Sequence, residues 1–364
     1  SIYMHKFHDK NLRKLTYSEA IREGIDQAMM DDPNLIVIGE GVPDPKSIFL
    51  TTEGLQEKYG SNRVFDMPLS ENGMTGVCTG AALNGTSVLM VHQRIEFAML
   101  AMDQIINNAA KWHYMFNGQS SVPIVIRVII GRGWGQGPQH SQNLQALFAH
   151  IPGLKVITPA TAKDAKGMMA AALKDKNPII FIENRWLHHI EDDVPEEAYL
   201  SNISGAMVLR DGKDVTIVSN SLATIESLKA AKVLSKAGIE AEVVDLRSIK
   251  PIDFDTIQKS IIKTKRLAVV DHSWRTGGIS GEIISTVMER NFDILLQAPI
   301  RITNPDHVIP TSHYLADHYY QDAEQIFIEI MKMFKFEGNI NSFKDCFITD
   351  SPADVPDRNF HGPF

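Results

Sequence analysis

Three places in the chain combine residue type and spacing in a way that could support chemistry. The first is Met67-Pro68-Leu69-Ser70-Glu71-Asn72-Gly73, where Glu71 sits at a strand-to-helix turn before a stretch rich in glycine and alanine. A carboxylate there can exchange a proton with a ligand. It can equally be an ordinary helix N-terminal acid, stabilised by the helix dipole by roughly a few tenths of a kcal/mol. The second is Gly131-Arg132-Gly133-Trp134-Gly135-Gln136-Gly137-Pro138-Gln139-His140-Ser141. Glycine at every second position lets backbone approach a ligand closely, and His140 is a candidate proton donor. The same pattern also suits a flexible surface loop with a solvated histidine. The third is Arg275-Thr276-Gly277-Gly278-Ile279-Ser280-Gly281-Glu282, which reads as a tight turn capping a helix.

The elements that would position these residues alternate between strand and helix. Thr16 can cap a helix over 17–30, and Leu35 to Gly39 is a short apolar run of the kind found in buried parallel strands. Strands are expected at 63–66, 87–91, 123–130, 154–158 and 178–182, with helices at 73–83, 99–115 and 163–174. The acidic, proline-containing stretch around HHIEDDVPEE breaks the rhythm and reads as a linker. A second α/β unit follows, with strands at 214–219, 241–245 and 266–270 and helices at 223–237 and 280–290. The fold class is therefore α/β, in two domains that each hold a mostly parallel sheet flanked by helices. The boundaries are residues 1–190, a linker over 191–206, a second domain over 207–336, and an extension over 337–364, of which 343–364 reads as an irregular arm.

Composition narrows the function. At 364 residues, with 44% apolar and 22% charged side chains, the chain is globular and long enough for two cores. Its net charge of −8, from 36 basic and 44 acidic residues, argues against nucleic acid as a partner. Two distant cysteines, Cys78 and Cys346, exclude a disulfide framework and a cysteine-rich zinc site. No apolar run approaches the ~20 residues of a membrane helix, and residues 1–14 lack a signal-peptide core. The expected location is the bacterial cytoplasm, or the mitochondrial matrix or a plastid if a presequence has been removed. There is no GxxxxGK[ST] loop, HExxH, GxSxG or full GxGxxG, so kinase, metalloprotease and ordinary dehydrogenase readings lose their support.

The PLSENG turn, EFAMLAMDQIINNAAKWHYM, GRGWGQGPQHSQ and HIPGLKVITPATAKDAKG together resemble one family. It is the beta subunit of the first component of thiamine diphosphate-dependent 2-oxo acid dehydrogenases, which act on pyruvate, branched-chain substrates or acetoin. The resemblance runs from about Leu15 to about Phe334. It implies a thiamine pyrimidine-binding domain followed by a transketolase-like C-terminal domain. It also implies decarboxylation of a small 2-oxo acid, with acyl transfer to a lipoyl acyltransferase component. Glu71 matches the carboxylate that holds the N1′ atom of the aminopyrimidine, and Phe97 the aromatic residue that stacks on that ring. Glu40 matches an acid near the cofactor, and His140 a histidine on the substrate side. Ile124, Ala172, Leu173, Asp175 and Asn177 match a structural potassium site built mostly from backbone carbonyls.

The superfamily holds magnesium and the diphosphate with a GDG motif, which this chain does not contain. The resemblance thus implies that Mg2+ sits on an alpha subunit, in an alpha2beta2 heterotetramer. Two departures from the family pattern stand out. Val42-Pro43-Asp44-Pro45-Lys46 replaces a glycine-rich stretch, and His92 and Arg94 would bring positive charge near the cofactor unless Arg94 pairs with Glu96 or Asp103 at the surface. The competing readings are a two-subunit carboligase working without a lipoyl complex and a non-catalytic scaffold. The presence of both Glu71 and His140 weighs against the scaffold.

Overall fold

The computed structural model describes residues 12–131 and 135–348. Arg132, Gly133 and Trp134 of the glycine run, and most of the expected C-terminal arm, lie outside the described residues. Fourteen strands are described. They are β1 (Leu12–Thr16), β2 (Ile36–Gly39), β3 (Val64–Phe65), β4 (Val88–His92), β5 (Ile124–Ile130), β6 (Lys155–Ile157) and β7 (Ile179–Asn184) in the first half. The rest are β8 (Glu191–Pro195), β9 (Met207–Arg210), β10 (Val215–Ser219), β11 (Ala241–Asp245), β12 (Ser248–Lys250), β13 (Leu267–Trp274) and β14 (Ile300–Asn304).

The first sheet has seven strands in the order β12-β6-β7-β5-β4-β2-β3, and the second has five in the order β14-β13-β10-β11-β9. Only β12 in the first and β9 in the second run antiparallel to their neighbours. Every residue of β4, β5, β7, β10 and β11 is buried. That explains their near-continuous Val, Ile and Leu runs, because helices cover both faces. The helix Tyr17–Asp31 starts in a capping box, with Thr16 and Glu19 satisfying each other's backbone N–H groups, and Ala162–Lys174 is capped by Thr161. The two sheets are not separate bodies. One apolar cluster runs from Ile38, Met90 and Ile126 in the first sheet to Val218, Val244 and Val269 in the second.

Three expectations need correction. The stretch 191–206 is not a linker throughout, because Glu191–Pro195 pairs antiparallel with Leu12–Thr16. The single helix expected over 99–115 is broken into a 3-10 turn (Met99–Ala101), a π-helical segment (Gln104–Ala109) and a short α-turn (Trp112–Met115). Two asparagines, Asn107 and Asn108, turn their side-chain amides back onto Asp103 and Gln104, and the wider π turn still buries Ile105 and Ala109. The arm expected to be irregular from residue 343 is regular in its first residues. Ile340–Phe347 forms 3-10 turns whose Phe343 and Phe347 pack on Phe327 at centroid distances of 5.4 Å.

Candidate active site

Four loops leave the C-terminal ends of adjacent strands in the first sheet and carry the four principal candidates. Glu40 follows β2, Glu71 follows β3, Phe97 follows β4, and His140 follows β5. These strands lie side by side as β5-β4-β2-β3. Residues spread over 100 positions of sequence therefore gather at one edge, where open parallel sheets form their ligand crevices.

Glu71 opens the helix Glu71–Leu83 and is 8% exposed. Its carboxylate lies within hydrogen-bonding reach of Glu40, and that closeness acts on Glu40. Burial first, then the negative charge of Glu71 and the contact with it, push the Glu40 carboxyl up to about 7. One oxygen of Glu40, Oε1, is buried with no partner among the described residues. The backbone around the pair is pinned. Gln93 donates to the Glu40 carbonyl at 3.0 Å, and Asp66 accepts from the N–H groups of Gly41 and Met67 at 3.0 and 2.9 Å. Two carboxyl groups that share a crevice, one of them able to hold a proton near neutral pH, suit proton exchange with a nitrogen base.

Phe97 and His140 meet edge to face, with centroids 5.6 Å apart and planes at 82°. Neither ring is fully buried, so each keeps part of its surface accessible. The segment carrying His140 is held from both domains. Glu96 accepts from the Gln142 N–H at 2.7 Å, Asn143 donates to the His272 carbonyl at 2.5 Å, and Gln145 donates to Asp271 at 3.0 Å. Gly137 has φ +70°, and a Cβ there would run into the Thr311 side chain, so the chain can pass only as glycine.

Arg94 and His92 do not behave as expected. Arg94 is 3% exposed and donates to the Gly131 carbonyl at 3.0 Å and to Gln136, so it anchors the glycine loop rather than pairing at the surface. Burial lowers its guanidinium to about 10, which still leaves it charged at neutral pH. His92 is buried and pushed down to about 4, so it brings no positive charge near neutrality. Phe49 lies beneath the Arg185 guanidinium at 4.2 Å and near that of Arg94 at 5.8 Å. Deeper still, Arg127 pairs with Glu183, which also contacts His188 at 2.8 Å. Sequence reasoning missed this buried network. Its one signal was an arginine in the middle of a β-branched run.

Among the other candidates, Ile124 starts β5, while Ala172, Leu173, Asp175 and Asn177 surround the end of the helix Ala162–Lys174. Asp175 is already committed. It pairs with Lys155, accepts from the Asn177 N–H at 2.8 Å, and these partners hold it below the usual carboxylate range despite burial. No cluster of three or more His, Cys, Asp or Glu side chains that could hold a metal occurs among the described residues. No helix among them is long and apolar enough to cross a membrane.

Comparison with known proteins gives a consistent picture. Residues 13–189 match the transketolase pyrimidine binding domain, and residues 204–326 match the transketolase C-terminal domain. The chain is 41% identical over 334 residues to the beta subunit of acetoin:2,6-dichlorophenolindophenol oxidoreductase from Cupriavidus necator, covering 89% of this chain and 98% of the relative. It is 42% identical over 291 residues to the pyruvate dehydrogenase E1 component subunit beta of Rickettsia felis, covering 80% and 89%. To the mitochondrial counterpart from Bos taurus it is 38% identical over 324 residues, covering 88% and 90%. A solved structure described as a split gene transketolase, inactive beta4 tetramer, shares the fold with a TM-score of 0.72 at 21% identity, covering 89% of this chain and 99% of that one.

Proposed function

The chain belongs to the transketolase-like family of pyruvate and acetoin dehydrogenase E1 beta subunits, and from that premise we propose that it is the pyrimidine-binding half of a thiamine diphosphate-dependent 2-oxo acid decarboxylase. The observation that carries this reading is the Glu40–Glu71 carboxyl pair at the ends of β2 and β3, with the Phe97–His140 contact after the adjoining strands β4 and β5. The orphaned Glu40 oxygen and the partly exposed rings of Phe97 and His140 fit an aromatic, nitrogen-bearing group. Thiamine diphosphate, when bound, supplies a nucleophilic thiazolium carbon that adds to an oxo group and takes up the electrons left by decarboxylation.

In this reading Glu71 holds a proton at the N1′ position of the aminopyrimidine, and Glu40 exchanges protons with Glu71. Phe97 covers the ring and excludes water from it, and His140 faces the substrate oxo group as a hydrogen-bond donor. The diphosphate and Mg2+ belong to an alpha subunit in an alpha2beta2 assembly, because the chain has no GDG motif. The acyl group leaves to a lipoyl acceptor. A potassium ion belongs to the same proposal. With Asp175 neutralised by Lys155, the carbonyls near Ile124, Ala172 and Leu173 would be its main ligands, since hard oxygen donors suit such a cation.

The test is Glu71→Gln in the enzyme reconstituted with its alpha subunit. Size and shape are kept while the carboxylate is lost. Exchange of the cofactor C2 proton with deuterium, followed by NMR, should slow by about 10²–10⁴, the range for lost acid–base catalysis. Exchange at the wild-type rate would leave Glu71 as nothing more than a helix-terminal acid.

A further inference from the structure

A cavity of about 880 Å³ opens between the two halves of the molecule, and none of its lining residues belongs to the site just described. Its size falls within the range of small-molecule sites. Three permanent cations line it, Lys250, Arg275 and Arg301, against one carboxylate, the exposed Glu282. This is unusual in a chain of net charge −8. Elsewhere, cations in comparable settings find acids, as in Lys155–Asp175, Lys263–Glu242 and Arg247–Asp164. Lys250 and the guanidinium of Arg301, both half-buried, make no ion pair or hydrogen bond among the described residues. Arg275, which is exposed, donates its guanidinium to the Arg301 carbonyl at 3.3 Å and lies near the Asp306 carboxylate. Leaving the partly desolvated Lys250 and Arg301 without an ion-pair partner is unfavourable, and an anion in the cavity relieves it.

The backbone adds to this preference. The turn Thr276-Gly277-Gly278 leads from β13 into the helix Ile279–Asn291, whose N-cap is Gly278 and has no side-chain cap. A Cβ on Gly278 would stand 2.5 Å from the Trp274 carbonyl, so the tight turn requires glycine. The uncapped first N–H groups of a 13-residue helix therefore border the cationic wall. Ile249, Ile252 and Phe254 add an apolar part to the lining.

We propose that this cavity binds a phosphorylated small molecule with an aromatic or apolar body, the phosphate lying against Lys250, Arg301 and the helix start and the body against Phe254 and Ile252. The site is independent of the thiamine reading. Glu282, in the first helical turn, is the charge that such a phosphate has to work against.

Titration calorimetry on the full chain at low salt tests it, with ADP as the probe and adenosine as the body without phosphate. ADP should bind saturably, with Kd at or below about 1 mM, and adenosine should not saturate in that range. Lys250→Gln and Arg301→Gln should each weaken ADP at least about fivefold, and added salt should weaken it further. Glu282→Gln should tighten it, a gain that misfolding cannot imitate. Glu71→Gln should leave it unchanged, which separates this cavity from the crevice at the strand ends. Absence of ADP saturation, equal binding of adenosine, indifference to both cation variants, or loss of binding in Glu71→Gln would each overturn the proposal.

Discussion

Two carboxyl groups brought together in a half-buried crevice cannot both stay charged at little cost, and Glu40 carries the consequence. Its carboxyl rises from 4.5 to about 7 through burial, the charge of Glu71 and that of Asp66. Near neutral pH the pair therefore holds one proton for part of the time, which is useful for relaying protons to a base. Carboxyl-selective infrared titration of the Asp245→Asn chain, which removes the other raised carboxyl, should show Glu40 ionising near pH 7. That signal should vanish in Glu40→Gln, and in Glu71→Gln it should move toward the ordinary carboxylate range because the repelling charge is gone. A signal unmoved by Glu71→Gln would show that the two groups do not interact. His140 belongs to a later step. If it faces the substrate as proposed, His140→Ala in the reconstituted enzyme should keep C2 exchange near normal. Its kcat should fall at least about tenfold, or ~1.4 kcal/mol. Equal losses in both assays would count against a substrate-side role.

Among the elements, those with strong local instructions formed where the residues directed, and those under tertiary tension did not. The helix Tyr17–Asp31 depends on the reciprocal Thr16–Glu19 box and lies against Ala162–Lys174. Thr16→Ala should cost about 1 kcal/mol, the usual value of a lost N-cap, read as a lower urea midpoint at unchanged slope. An unchanged midpoint would mean that tertiary packing alone holds that helix end. The segment after β4 shows the opposite case. Its apolar spacing over 99–115 is helical, yet the chain divides it into 3-10, π and α turns. Asn107 and Asn108 bond the Asp103 and Gln104 side chains one turn back, which keeps the segment helical, and the wider π turn buries Ile105 and Ala109.

At the scale of the molecule, the seam between the two sheets holds a titratable device outside the active site. Asp245, at the end of β11, is fully buried, and burial followed by the charge of Asp164 raises its carboxyl from 3.8 to about 8. Asp164 itself pairs across the seam with Arg247 at 2.9 Å. Between pH 4 and 8 the folded chain keeps a proton on Asp245 that the unfolded chain has released. This contribution to stability is full below about pH 4 and is lost as pH rises through 8, at up to ~1.4 kcal/mol per pH unit. Asp245→Asn, which carries no proton to lose, should flatten the stability profile. Its urea midpoint relative to wild type should be higher at pH 8 than at pH 5. Parallel profiles for the two proteins would show that Asp245 does not titrate in this window.

What the amino-acid sequence determined by itself was local. The β-branched and apolar runs placed β4, β5 and β7, Thr16 placed a helix start, and the glycine spacing with Glu71 and His140 marked where chemistry could occur. The tertiary structure decided everything that depends on which strands are neighbours. The order β5-β4-β2-β3 brings Glu40 to Glu71 and Phe97 to His140. The same long-range pairing draws Glu191–Pro195 back to β1 and passes Ser248–Lys250 from the second half into the first sheet. It also buries Arg94 under the glycine loop instead of leaving it at the surface. The physical reason is that backbone propensity and apolar periodicity act over a few residues. Desolvation, charge coupling and the satisfaction of buried polar groups are set by neighbours in space, which the chain acquires only when the sheets assemble.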